Sequence, residues 1–141
     1  MNDLTIYHKK ILELASINRK SLEINDFNFS KEVKNPLCGD LVEVRINIIN
    51  NSIKNLSAKV KGCALCEAST GLLSKNVIGL NFKNSFILKE NLSFWLNEKL
   101  DKFTFSEIEN FSPVKKFKNR YKCVYSIFFV DWYLLVPPFV C

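Results

Sequence analysis

The sequence predicts an α+β fold, a small antiparallel three-stranded sheet packed against several helices. Three observations predict it: apolar residues at three- and four-residue spacing near both ends of the chain, strict alternation of apolar and polar residues within 41 to 61, and glycine or asparagine where the period changes. The two periods require different backbones, because side chains repeat every 3.6 residues on a helix and every second residue on a strand. The chain has 141 residues, 48% of them hydrophobic. That supplies one domain, 1 to 141, with a real core and excludes a disordered chain.

Leu4, Tyr7, Ile11, Leu14 and Ile17 share one helical face, so an amphipathic helix should open the chain and end near Asn18. The segment Phe27 to Val33 is a candidate first strand. Val42, Val44, Ile46 and Ile48 then alternate with Glu43, Arg45 and Asn47, and Leu56, Ala58 and Val60 alternate with Ser57, Lys59 and Lys61. These are two half-buried strands joined by a turn around Asn50, Asn51 and Ser52. Gly62 ends the second strand, and the small residues Ala64 to Gly71 lead into Leu72, Leu73, Val77 and Ile78, a helix that starts beside Cys63.

Residues 85 to 100 and 104 to 110 read as further helical segments, with Phe86, Leu92, Trp95, Leu96 and Leu100 as core. Val114, Phe117, Tyr121, Tyr125, Phe128, Trp132 and Leu135 form one stripe, so a final helix should run from about residue 114. Cys123 lies off that stripe and is expected on the side away from the core. Beyond Cys123 the chain is apolar nearly all round, but Asp131, Pro137 and Pro138 interrupt a run already too short to span a bilayer. No internal repeat and no linker divides the sequence.

The formal charge is +6, with lysines scattered except for the group Lys115, Lys116, Lys118, Arg120 and Lys122. Dispersed charge of this kind is a solvated face, and it argues against nucleic acid as the partner, although the one patch suits an acidic protein. Residues 1 to 20 mix acidic and basic side chains with the apolar ones, unlike a secretory leader, which places the protein in the cytoplasm. In that reducing compartment five cysteines point to metal or sulfur chemistry rather than to disulfides.

Cys38, Asp40, Cys63 and Cys123 make a candidate four-ligand metal site. Thiolates are soft donors for zinc or iron-sulfur units, and a carboxylate oxygen can complete the tetrahedron. The ligands come from three separated segments, so only a folded domain can assemble them. The competing reading is burial, since cysteine is often a small core residue. It suits Cys141, and it suits Cys38 less, because Pro36 and Gly39 mark a turn there. Cys63 sits where a helix dipole should lower its pKa and favour the thiolate.

Asn35, Pro36, Leu37, Cys38, Gly39, Asp40, then Lys61, Gly62, Cys63, Ala64 with Ala68 and Ser69, then Arg120, Tyr121, Lys122, Cys123 together resemble the NifU/IscU-type iron-sulfur cluster assembly scaffolds. Two details resemble the SufU-like branch of that family. Lys122 stands where IscU-type members carry a histidine, and the segment between Cys63 and Cys123 is long. Of the Leu-Pro-Pro-Val-Lys segment by which IscU binds its chaperone, only Pro113, Val114, Lys115 remain.

The resemblance implies that Cys38, Asp40, Cys63 and Cys123 bind zinc or a transient 2Fe-2S cluster. It also implies that Cys123 accepts persulfide sulfur from a cysteine desulfurase, and that the cluster passes to recipient iron-sulfur proteins. Asp40, a harder ligand than a thiolate, would keep the cluster transferable; its alternative role is an ordinary turn aspartate capping amides. Cys66 departs from the family pattern and is expected as a buried residue one turn into the helix, with a redox pair or alternate ligand as the other readings.

The leading reading is therefore a non-catalytic scaffold. A zinc-dependent sulfurtransferase that uses the same ligands is the second. A basic nucleic-acid-binding module with structural zinc is the third, disfavoured because no aromatic nucleic-acid motif accompanies the charge.

Overall fold

The alternation within residues 41–61 folds into a hairpin of two strands, β2 (Leu41–Ile49) and β3 (Ser52–Lys61), and β1 (Phe29–Lys34) pairs antiparallel with β2 on its other side. The computed structural model describes residues 3–34, 39–81 and 85–125. Strand order is β1-β2-β3, an antiparallel sheet with the hairpin turn at Asn50 and Asn51. Both asparagines take positive φ, 52° and 65°. A two-residue turn of that kind matches the right-handed twist of its strands, and asparagine tolerates the left-handed region better than most residues. β3 begins directly after the turn at Ser52, earlier than its cleanest alternation at Leu56 to Val60.

Val42, Val44 and Ile46 point into the core, where each is no more than 1% exposed. Helices cover that face. Helix α1 (Asp3–Lys20) packs against α2 (Ala64–Asn76), and both touch β3. On α1 the expected stripe is buried at Ile11 and Leu14 and partly buried at Ile17, while the side chains of Leu4 and Tyr7 lie outside the described residues. The close α1–α2 approach depends on Gly71, because a Cβ there would collide with the carbonyl oxygen of Leu14. The opposite sheet face is covered by the chain after α1, where Glu23 holds Arg45 at 2.8 Å and Lys59 at 3.1 Å.

Helix α3 (Ser85–Leu96) buries Leu92, Trp95 and Leu96 but stops short of residue 100. Glu98 adopts a left-handed φ of 58°, and the Lys99 amide donates back to the Phe94 carbonyl at 2.8 Å. That is a helix-ending geometry usually given to glycine. Phe86 lies outside the described side chains.

The second half departs further from expectation. Residues Ser106–Lys116 form 3₁₀ turns with Pro113 inside them, a second 3₁₀ turn spans Lys118–Arg120, and among the described residues that follow α3 only Tyr121–Tyr125 is α-helical (α4). Phe117, at φ −126° and ψ 83°, separates the two 3₁₀ segments and resets the helical phase. The stripe read from residue 114 therefore does not run along one helix. Val114, Tyr121 and Val124 are buried, but Phe117 is 57% exposed. Tyr125 as a side chain, and Phe128, Trp132 and Leu135, lie outside the described residues. Among the described residues no helix is long and apolar enough to cross a membrane.

Candidate metal centre

Asp40 enters the site from the first residue before β2. Gly39 precedes it with φ +73°, a conformation that would strain any residue bearing a Cβ, so the glycine sets the direction in which Asp40 leaves the turn. Leu41 pairs with Lys61 at the same end of the sheet, which brings the residue after β3, Gly62, against Asp40. A Cβ on Gly62 would overlap the Asp40 carboxylate. Gly62 is thus required by the aspartate and not only as a strand breaker.

Cys63 is the N-cap of α2, and its backbone amide donates to Asp40 Oδ1 at 3.3 Å. Its Sγ–H donates to Asp40 Oδ2 at 3.3 Å. Asp40 therefore does cap an amide, as the ordinary turn reading supposes, and it uses its second oxygen to hold the thiol. Cys123, on α4, completes the group: one donor atom from each of Asp40, Cys63 and Cys123 lies within 4.8 Å of the others. Cys38 lies outside the described residues, two positions before Asp40.

The position of Cys123 corrects the expectation that it faces away from the core. It is 2% exposed. The physical reason is that α4 is short and enclosed on more than one side, with Tyr121, Cys123 and Val124 all buried, so lying off the apolar stripe does not place a residue in solvent. Ser69 of α2 fixes this placement, since its buried hydroxyl donates to the carbonyl of Val124, the residue after Cys123. Cys66 is fully buried in the core one turn into α2, as a small apolar residue would be.

Cys63 also differs from expectation. Its thiol pKa lies above the ordinary value, not below it, because burial disfavours the thiolate and the Asp40 carboxylate opposes a second negative charge. The helix terminus does act in the other direction, through a backbone hydrogen bond from Cys66 that favours the thiolate, but burial outweighs it. Two thiols and a carboxylate packed this closely repel one another when ionised. A bound cation removes that repulsion, so the donor set fits a metal that takes sulfur and oxygen ligands together.

A cleft of about 490 Å³ opens onto Cys63. His8 of α1, Phe117 and Arg120 stand among its walls. His8 was remote from the site in sequence, and no spacing rule joins it to Cys63; the packing of α1 on α2 does. The Gly62 requirement and the Ser69 anchor were likewise invisible as relations, although both residues belong to the motif around Cys63.

Comparison with known proteins agrees with this fold. The sequence profile described as the NifU-like N terminal domain matches residues 6–124. A protein named iron-sulfur cluster assembly scaffold protein IscU, from Thermotoga maritima, is 24% identical over 119 residues, covering 84% of each chain. The crystal structure of a nitrogen-fixing NifU-like protein (N-terminal) from Brucella abortus superposes with a TM-score of 0.78 at 24% identity and covers 90% of both chains. A protein described as an iron-sulfur cluster assembly scaffold for the SUF system, from Fervidobacterium islandicum AW-1, superposes with a TM-score of 0.76 at 24% identity, covering 88% of this chain and 92% of that one.

Proposed function

Because the chain belongs to the NifU-like N-terminal domain family, we propose that it is a scaffold on which an iron-sulfur cluster is assembled and from which the cluster is passed on. The observation that carries this reading is the convergence of Asp40, Cys63 and Cys123 donor atoms within 4.8 Å. Cys38, two residues before Asp40, is the fourth ligand in this proposal. Iron and sulfur are cargo here, and the carboxylate among thiolates suits cargo that must leave, since the hard Asp40 oxygen holds iron less firmly than sulfur does. Zinc can occupy the same ligands when iron is absent.

Cys123 is the proposed sulfur acceptor. Its thiolate attacks the outer sulfur of a desulfurase persulfide, the S–S bond of the donor breaks, and the donor cysteine departs as a thiolate. The sulfane sulfur changes carrier without net oxidation. Cys123 is buried, so in this proposal the donor approaches it from the cleft, past the half-buried Cys63. Lys122, in place of the histidine of IscU-type members, supports a place in the SufU-like branch, acting in the cytoplasm.

Anaerobic reconstitution with iron, cysteine and a desulfurase tests the reading. Visible absorption characteristic of a two-iron cluster should develop in the wild type and fail in Cys63→Ser, while zinc-loaded protein stays colourless. Mass-spectrometric mapping of persulfide in wild type and Cys123→Ser tests the acceptor. A label that persists in the variant and maps to Cys38 or Cys66 would reassign the sulfur step.

A further inference from the structure

The three donors differ in access. Asp40 and Cys123 are buried, and Cys63 alone is half-exposed. Of these three described donors, Cys63 is therefore the one an ion arriving from solvent meets first, and it opens onto the 490 Å³ cleft. Most of that wall is apolar. Arg120 is a cation, and the side-chain amide of Asn119 is a weak donor for a transition metal. Among the described residues of that wall His8 is the one strong metal-binding side chain besides Cys63, it is the single histidine of the chain, and it is exposed to solvent.

We propose that His8 is a transit ligand, which takes a divalent zinc or ferrous ion from solvent and delivers it through Cys63 to the buried set. This rests on the reading of the centre as a metal-loading site. Imidazole suits both ions. Among the described residues the close donor group is Asp40, Cys63 and Cys123 without His8, so the imidazole serves the approach and not the final coordination. The hand-over is a ligand exchange with no change of oxidation state: a metal–sulfur bond forms at Cys63 as the metal–imidazole bond breaks, and the proton of the Cys63 thiol leaves to solvent. Helix α1 in this way contributes to function although none of the cysteine motifs lies on it.

Zinc loading and release of the full-length reduced protein, followed by stopped flow against a fluorescent zinc chelator, tests the proposal in four forms: wild type, His8→Ala, His8→Asp and Cys63→Ser. A ligand used only in transit lowers the barrier in both directions. Loading and release by His8→Ala should therefore both slow by about tenfold, with stoichiometry and equilibrium affinity kept, and His8→Asp, which restores a donor, should recover most of the rate. Wild-type rates in His8→Ala would overturn the transit role. So would a loss of stoichiometry in His8→Ala, which would make His8 a permanent ligand. If Cys63→Ser fails to bind while His8→Ala loads at the wild-type rate, the metal centre stands and only the role of His8 falls; if the wild type takes up no zinc, both fall.

Discussion

Asp40 holds the Cys63 amide with one oxygen and the Cys63 thiol with the other, so the same carboxylate sets the start of α2 and aims its first side chain. The two cysteines of Cys63, Ala64, Leu65, Cys66 then part company. Cys63 faces Asp40 and the cleft, while Cys66 points into the core at 0% exposure. Cys63→Ser should abolish stoichiometric zinc binding, and Cys66→Ser should keep most of it, at a stability cost of about 1–3 kcal/mol for burying a hydroxyl in an apolar setting. Metal analysis and thermal melts of the two variants check this; equal metal loss in both, with folding preserved, would place Cys66 among the ligands. Asp40, Cys63 and Cys123 were legible in the sequence because donor chemistry and glycine-marked turns are local signals. The burial of Cys123, the raised pKa of Cys63 and the nearness of His8 were not, because each depends on what other segments bring alongside.

Elements show the same division. The hairpin was readable down to its turn, since alternation fixes the faces of a strand and Asn50 and Asn51 supply the required positive φ. Residues 114 to 125 were misread as part of one regular helix, because spacing records which residues are apolar but not whether the backbone between them stays in phase. Pro113 and the extended Phe117 break that phase. The α1–α2 pair offers a sharper test of element packing. Gly71 sits against the Leu14 carbonyl with no room for a methyl group, so Gly71→Ala gains helix propensity of up to about 1 kcal/mol yet should lose more through displaced backbone. The rigid atom in its path is a carbonyl oxygen, and overpacking of that kind costs about 1–3 kcal/mol or more. The expected net result is a lowered melting temperature, accompanied by disturbed access at the cleft that α1 helps to form. A melting temperature equal to or above wild type would show that α1 can move aside without cost.

The candidate centre draws its donor atoms from the residue before β2, the cap of α2 and the short helix α4, segments distant in sequence that meet only in the folded chain. An ion that binds this arrangement and not the unfolded chain adds its binding free energy to folding. Zinc at a hundredfold excess over its dissociation constant should stabilise the protein by about 2.7 kcal/mol, and a chelator should remove the gain. The pH dependence has a definite sign. In the metal-free protein the Cys63 thiol pKa is raised above its ordinary 9.0, so the native state holds this proton more tightly than the unfolded chain does. Its contribution to stability is complete below about pH 9 and is lost as pH rises through the folded pKa. Metal binding requires the thiolate and releases that proton, so zinc affinity should increase with pH over the range below the folded pKa and level off above it. The zinc-induced rise in melting temperature, at a fixed subsaturating free zinc concentration, should therefore be larger at pH 8 than at pH 6.5, conditions chosen on either side of roughly neutral pH where thiols are still protonated. The same rise should vanish in Cys63→Ser. A zinc shift that is independent of pH, or that survives loss of Cys63, would show that the ion binds elsewhere and that the convergence of the three segments does not serve metal.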